Sequence, residues 1–215
     1  KYFGKYNYAR INSKIYKTKN KFFDFKILKL ILSIIFEKYF SLPEQIIEFG
    51  CGTGHNLIQL KKTNKDAELY GLDWSIYSQK ILKLISKKKN ENINGYHFDY
   101  FNPKINFKLD KVWSCYTVAS LEQIGTKYKK FLNMLLRKKP RIVVNLEPVP
   151  ELLNKKNLYD KLSIKYMYKR NYLRNYYTYL KKIEKEKKIK ILFSSKSYFG
   201  SLYINGYSLI VWKPL

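Results

Sequence analysis

Ile46-Ile47-Glu48-Phe49-Gly50-Cys51-Gly52-Thr53-Gly54 constrains this chain more than any other stretch. An apolar run closes on an acid, three glycines alternate with other residues, and a helical pattern starts at Leu57, Ile58 and Leu60. A buried strand, a tight glycine turn and a helix N-terminus together bring bare backbone close to a nucleotide-like ligand. A second acid, Asp73, closes the next strand-like run, Leu69-Tyr70-Gly71-Leu72. That separation suits a βαβ unit whose second strand-end carboxylate holds ribose hydroxyls.

The remaining chain supports an α/β reading. Strand-like runs at Gln45–Phe49, Glu68–Leu72, Gly95–Phe98, Lys111–Tyr116 and Arg141–Leu146 alternate with helical stretches at about 55–62, 76–88 and 121–138. Such alternation implies right-handed crossovers and a largely parallel sheet. Residues 1–43 are read as an N-terminal arm and helix, the arm loosely held or serving as a lid. The helix follows from the spacing of Phe22, Phe25, Leu28, Leu32, Ile35, Phe36 and Tyr39. Residues 44–215 form the main domain. Within it, 150–188 reads as a helical insertion of one or two helices, expected to cap the acceptor site, and Ile189–Ser195 and Tyr207–Trp212 as two closing strands, with a turn signal at Asn205-Gly206.

At 215 residues one α/β domain is expected. The net charge of +27 points to nucleic acid or an anionic surface. Lysine supplies nearly all of it, scattered along the whole chain, with arginine only at Arg10, Arg137, Arg141, Arg170 and Arg174. A solvated lysine surface is therefore the preferred reading. Cys51 and Cys115 form neither a metal-ligand spacing nor a secreted disulfide framework, so no metal is expected and a cytoplasmic location fits best. The longest apolar run, Ile27 to Phe36, contains Lys29 and falls short of the roughly twenty residues that span a bilayer. No signal peptide is read, although the sequence begins at Lys1 rather than Met.

The order of elements and the strand-end residues resemble the class I S-adenosylmethionine-dependent methyltransferases over residues 44–213. Glu48-Phe49-Gly50-Cys51-Gly52-Thr53-Gly54 matches the family's acid-x-Gly-x-Gly-x-Gly motif, Asp73 the acid after the second strand, and Asp99 the acid after the third. Ser120-Leu121-Glu122-Gln123-Ile124 resembles the segment opening the helix after strand four, with Gln123 where many relatives carry His. A nicotinamide-dehydrogenase fingerprint needs a glycine where His55 stands. The resemblance implies a seven-stranded, mostly parallel Rossmann-like sheet with an antiparallel last strand, helices on both faces, and the N-terminal helix as an extension.

It also implies S-adenosylmethionine as cofactor and a set of binding residues. Gly50, Cys51, Gly52 and Gly54 would cradle the methionine portion, with Glu48 bracing the loop near the amino group. Asp73 would take the ribose and Trp74 an adenine face. Asp99 would take the adenine amino group, with Phe98 and Tyr100 sandwiching the base. Ser114, near the end of strand four, would face the cofactor region. Candidate bases are Glu147, expected to face a substrate cleft, and His55, which either touches the ligand or packs; Glu122 and His97 follow, the latter read as a core histidine. Arg170 and Arg174, four apart, would share a helix face and bind an acidic group on the acceptor, with Tyr172 beside them.

Cys115 lacks the preceding proline of enzymes that methylate pyrimidine carbon through a cysteine. No Asn-Pro-Pro-Tyr-like segment follows strand four. The expected function is methylation of a small molecule, an acidic metabolite, sugar or nucleotide-sugar. The alternative is an RNA methyltransferase or a noncatalytic RNA-binding relative. Oligomeric state is left open.

Overall fold

The computed structural model describes residues 7–12, 14–89, 91–204 and 206–215. The strands are β1 (Tyr8–Ile11), β2 (Lys14–Lys17), β3 (Gln45–Phe49), β4 (Glu68–Asp73), β5 (Ile93–His97), β6 (Trp113–Val118), β7 (Val143–Glu147), β8 (Ile189–Ser195), β9 (Phe199–Gly200) and β10 (Ser208–Pro214). The helices are α1 (Phe23–Tyr39), α2 (His55–Thr63), α3 (Ile76–Lys89), α4 (Lys129–Lys138), α5 (Leu158–Lys169) and α6 (Tyr176–Lys185).

Seven strands form one sheet in the order β5-β4-β3-β6-β7-β10-β8. β3 through β7 run parallel, and β10 is antiparallel to both β7 and β8. All five residues of β3 and of β7 are buried, as a parallel sheet covered on both faces requires. Neighbouring residues divide between two cores. Ile46, Leu69 and Val144 pack with Leu28, Leu32 and Phe36 of α1, Leu57 and Leu60 of α2 and Leu82 of α3. Ile47, Phe49 and Cys115 face the other way, onto Phe131 and Leu135 of α4 and Tyr176 and Leu180 of α6. The period-two alternation of the strands thus assigns a helix layer to each face.

Two expectations need adjusting. The helix expected over 121–138 is interrupted: Leu121–Ile124 is a short 3₁₀ turn, Gly125 takes a positive φ of 59°, and α4 starts only at Lys129. The 150–188 insertion contains α5 and α6, separated where Asn171 and Asn175 adopt left-handed φ of 52° and 58°, a conformation asparagine tolerates better than most residues. α6 belongs to the sheet-covering layer, so only α5 and its flanks stand apart from it.

Strand pairing at the N-terminus was not legible. β1 and β2 make an antiparallel hairpin whose first strand also pairs with β9, giving a separate three-stranded sheet. Residues 1–6 of the arm, and Asn205 of the turn signal, lie outside the described residues. None of the described helices is long and apolar enough to cross a membrane.

Candidate functional site

The carboxyl ends of β3, β4, β5 and β6 converge on a cleft of about 540 Å³. Parallel strands deliver their following loops to one sheet edge, so each loop contributes a wall. Gly50 and Gly52 come from the loop after β3, Asp73 and Trp74 from the end of β4, His97, Asp99, Tyr100 and Phe101 from the end of β5, and Ser120, Gln123 and Ile124 from the turn after β6.

The glycine loop is built around Asp73. Its Oδ2 accepts from the Gly52 amide at 2.9 Å and its Oδ1 from the Ser75 amide at 2.9 Å. The Gly50 amide donates to Leu72 O at 2.7 Å, which ties the loop to the end of β4. No neighbour lies within 4 Å of the point where a Gly52 Cβ would stand, so bare backbone faces the cleft there. Gly54 precedes the first residue of α2, and a Cβ on it would meet Leu82 of α3 at 2.3 Å.

Ser120 links the cleft's opposite walls. Its hydroxyl donates to Phe49 O at 2.8 Å, so Tyr100 must be the donor in the 2.9 Å bond between the two hydroxyls. Burial pushes the Tyr100 phenol well above its usual range. Asp99 Oδ1 accepts from the Phe101 amide at 2.8 Å, which shapes the loop after β5.

Several expected residues take other places. Glu48 is buried, accepting from Asn56 Nδ2 at 2.7 Å and Tyr116 OH at 3.2 Å; it braces the loop to α2 and β6 and is absent from the cleft wall. Cys51 turns its side chain into the core beneath Gly71, and burial raises its thiol far above the usual range. Ser114 is a correction. β6 runs on to Val118, so Ser114 lies at its amino end, where it donates to Glu44 Oε1 at 2.8 Å beside the Glu44–Arg141 ion pair.

Glu147 is a second correction. Its carboxylate accepts from the amides of Ser120 at 3.1 Å, Leu121 at 3.0 Å and Glu122 at 3.2 Å, so it anchors the turn that lines the cleft and faces no open space. Burial pushes Glu147 up to about 7, against those hydrogen bonds and one from Thr117. Neighbouring Glu122 is also buried and is raised well above its usual range by burial and by the charge of Glu147, with Arg170 opposing.

His55 packs near Phe25 of α1, ring centroids 6.1 Å apart. Burial and the Lys29 charge depress its basicity, and it does not line the cleft. His97, read as a core histidine, is instead exposed on the cleft wall, in register with Asp73.

The expected base sandwich between Phe98 and Tyr100 does not form. The two rings touch edge to face, 5.3 Å apart at 86°, and Phe98 is buried against Phe49 and Phe131. Trp74, 76% exposed, and Phe101, 47% exposed, are the most open of the aromatic groups on a wall that also includes Phe98 and Tyr100. The arginine pair also separates. Arg170 caps α5 and lies over the Tyr172 ring at 6.0 Å, whereas Arg174 sits in the loop before α6 and donates to Asn171 Oδ1 at 2.6 Å. They share no helix face, because the helix ends between them.

Phe101 is a wall residue absent from the sequence reading, while Ser120 and Ile124 appeared there only as part of a motif and His97 only as a core histidine. One signal for them was present: each follows or closes a parallel strand at the carboxyl edge.

The buried acids give the protein a pH signature. Glu48 is pushed up to about 8 by burial, from 4.5. A carboxyl raised in the folded state contributes stability that is complete below its unfolded pKa of 4.5 and is lost as pH rises through 7 for Glu147 and 8 for Glu48. Glu48→Gln keeps the Asn56 bond and lets Tyr116 accept instead of donate. Its Tm should exceed the wild-type value by more at pH 8 than at pH 5; parallel Tm curves would refute the assignment.

No family model and no curated protein matches the sequence. Solved structures do match in shape. The plantazolicin methyltransferase BpumL, in complex with SAH, has a TM-score of 0.57 at 16% identity, covering 89% of this chain and 84% of that one. The geranyl diphosphate C-methyltransferase from Streptomyces coelicolor, in complex with Mg2+, geranyl diphosphate and S-adenosyl-L-homocysteine, scores 0.60 at 10% identity, covering 88% and 82%. The [4+2]-cyclase SpnF scores 0.65 at 11% identity, covering 88% and 81%. A cyclase among these shapes shows that the fold carries more than one chemistry. The seven-stranded sheet, its reversed last strand and the glycine cleft at its carboxyl edge make this chain one with the fold of the class I S-adenosylmethionine-dependent methyltransferases.

Proposed function

We propose that the chain is an S-adenosylmethionine-dependent methyltransferase acting on a small molecule. The observation that carries this reading is Asp73 bonded to the Gly52 amide on the wall of a cleft large enough for an adenosyl ligand. Asp73 accepts from the ribose hydroxyls. Asp99 accepts from the adenine amino group, with Trp74 and Phe101 against the base, and the bare backbone at Gly50 and Gly52 lies against the methionine portion. When bound, the cofactor supplies a methyl group already activated by its sulfonium. The protein's contribution is then mainly to position the acceptor and exclude water. Glu147 is a positioning residue that holds the Ser120–Glu122 turn.

Titration calorimetry with S-adenosylhomocysteine tests the premise. Asp73→Ala removes charge-assisted hydrogen bonds worth about 1.5–3 kcal/mol each, so binding should weaken about 100-fold. Absence of binding heat with the wild type would remove the reading.

A second reading, RNA as acceptor or partner, draws on a groove beside the cleft lined by Lys104, Lys130, Asn133 and Arg137. A gel shift whose affinity falls steeply with salt would favour it. Weak binding at 150 mM salt would leave the small-molecule acceptor standing.

A further inference from the structure

A second, narrower cavity lies along the same sheet edge. α1 forms one wall, the end of β7 another, and Ser197, Phe199–Ser201, Ile204 and Tyr207 the roof. Leu28, Ile31, Leu146, Phe199 and Ile204 make it apolar, and Asp24 is the carboxylate among them. In this structure it encloses about 30 Å³, room for a group the size of an ammonium or a water molecule.

Asp24 is only 7% exposed. Its Oδ1 accepts from the Phe25 amide at 2.8 Å. Among the described residues it belongs to no ion pair, in a chain with 43 lysines and arginines. An unpaired carboxylate in apolar surroundings is costly, and a fixed cation would relieve that cost. With so many lysines available, a salt bridge from within the chain would have been easy to supply; Asp24 lines the cavity instead.

The cavity is also well placed. Leu146 is in register with Val118, at the tip of β6. The next residue, Glu147, holds the Ser120 amide, and Ser120 is itself part of the cleft wall. The cavity and the cleft therefore flank the same pair of strand tips, as an acceptor and a methyl donor would have to.

The geometry points to an acceptor that carries an amine on an apolar frame, its ammonium paired with Asp24 and its frame lying between α1 and the roof formed by Phe199, Ile204 and Tyr207. This rests on the methyltransferase reading and gives it a substrate class. It replaces the acidic acceptor, whose arginine pair does not share a helix face. The cavity as it stands holds the ammonium end, and the remainder of the frame enters by displacing the roof.

A matched series of probes tests this: phenethylamine, phenethyl alcohol and 3-phenylpropionate, titrated into the protein saturated with S-adenosylhomocysteine. The amine should bind at least about tenfold more tightly than the alcohol, the equivalent of about 1.4 kcal/mol, and the acid most weakly. Asp24→Asn should erase the difference between amine and alcohol and leave S-adenosylhomocysteine affinity unchanged. Equal binding of the three probes, binding of none, preference for the acid, or an amine preference that survives Asp24→Asn would each overturn the assignment. If Asp24→Asn does not fold, the wild-type ranking decides alone. Failure of S-adenosylhomocysteine itself to bind is a separate result that removes the methyltransferase reading; the same probe ranking on the protein without it still decides the role of Asp24.

Discussion

Gly50→Ala is expected to abolish S-adenosylhomocysteine binding and to lower stability by about 3 kcal/mol, within the range for a strained and overpacked site. Two effects act together. Gly50 has a φ of 72°, a region that costs an L-residue roughly 1–2 kcal/mol. Its added Cβ would lie 2.3 Å from Ser120 Cβ and 2.7 Å from Ser120 Oγ. Ser120 cannot step aside. Its hydroxyl is bonded to Phe49 O and Tyr100, and its amide to Glu147. The glycine loop must move instead, and the loop forms the cleft wall. Gly52→Ala separates the two effects. Gly52 has a positive φ of 53° but open space around its Cβ, so this variant should fold with a loss of about 1–2 kcal/mol. Its new methyl group projects into the ligand's space. Thermal melts and calorimetry on both variants check the argument; wild-type cofactor affinity in Gly50→Ala would show that the loop does not form the binding surface.

Arg10→Ala should be the most destabilising change outside the cleft, at about 3–5 kcal/mol, since it removes three buried hydrogen bonds from a charged donor worth about 1.5–3 kcal/mol each, which do not add fully. For a chain of this size that corresponds to a fall in Tm of about 6–20 °C. Arg10 is 2% exposed although it belongs to the N-terminal hairpin. Its guanidinium donates to Tyr159 O at 3.0 Å, to Ser163 Oγ, and to Leu202 O at 2.9 Å, and lies 5.5 Å from the Tyr159 ring centroid. One side chain therefore joins β1, α5 and the segment leading to β10. Its loss leaves buried oxygens without donors and frees the hairpin from α5. Limited proteolysis should then cut the hairpin and the 197–207 segment first, while S-adenosylhomocysteine affinity stays near the wild-type value because the cleft is walled by other loops. Arg10→Lys should rescue only part of the stability, since a single ammonium cannot span the same fork of acceptors. A Tm within 1 °C of wild type for Arg10→Ala would show that the hairpin is not held this way.

The parallel core was readable because its cause is local. Strands buried on both faces are mostly apolar, and Ile46–Phe49 and Val143–Leu146 are so except for Glu48 and Asn145, which find partners inside the fold. Asp73 is legible for a similar reason, since a strand ends where polarity returns and a parallel sheet sends such ends to one edge; Asp99 came from the family resemblance. Ser114 was misplaced because the apolar pattern of β6 does not reveal how far it continues past Cys115. His97 and the Phe98–Tyr100 pair were misread for a related reason. Strand alternation says that neighbours point to opposite faces, but not which face is already filled; Phe131 of α4 and Phe49 of β3 decide that, drawing Phe98 inward.

The arginine pair shows the limit of local spacing. Four residues apart means a shared face only while the helix continues, and the left-handed backbone at Asn171 ends it between Arg170 and Arg174. Arg10 lay beyond local reasoning altogether. Its partners Tyr159, Ser163 and Leu202 are about 150 to 190 positions away along the chain, and no pattern around Arg10 encodes them.

What the sequence by itself determined is the order of strands and helices, the glycine turn and the strand-end acid Asp73, because periodicity, φ preference and strand termination act over a few residues. Only the tertiary structure decided which acids face open space and which are used up inside. Glu147 and Glu48 went to backbone and core partners, while Asp73, Asp99 and Asp24 were left lining cavities. The cost of burying a carboxylate depends on what the whole fold brings within 3 Å of it.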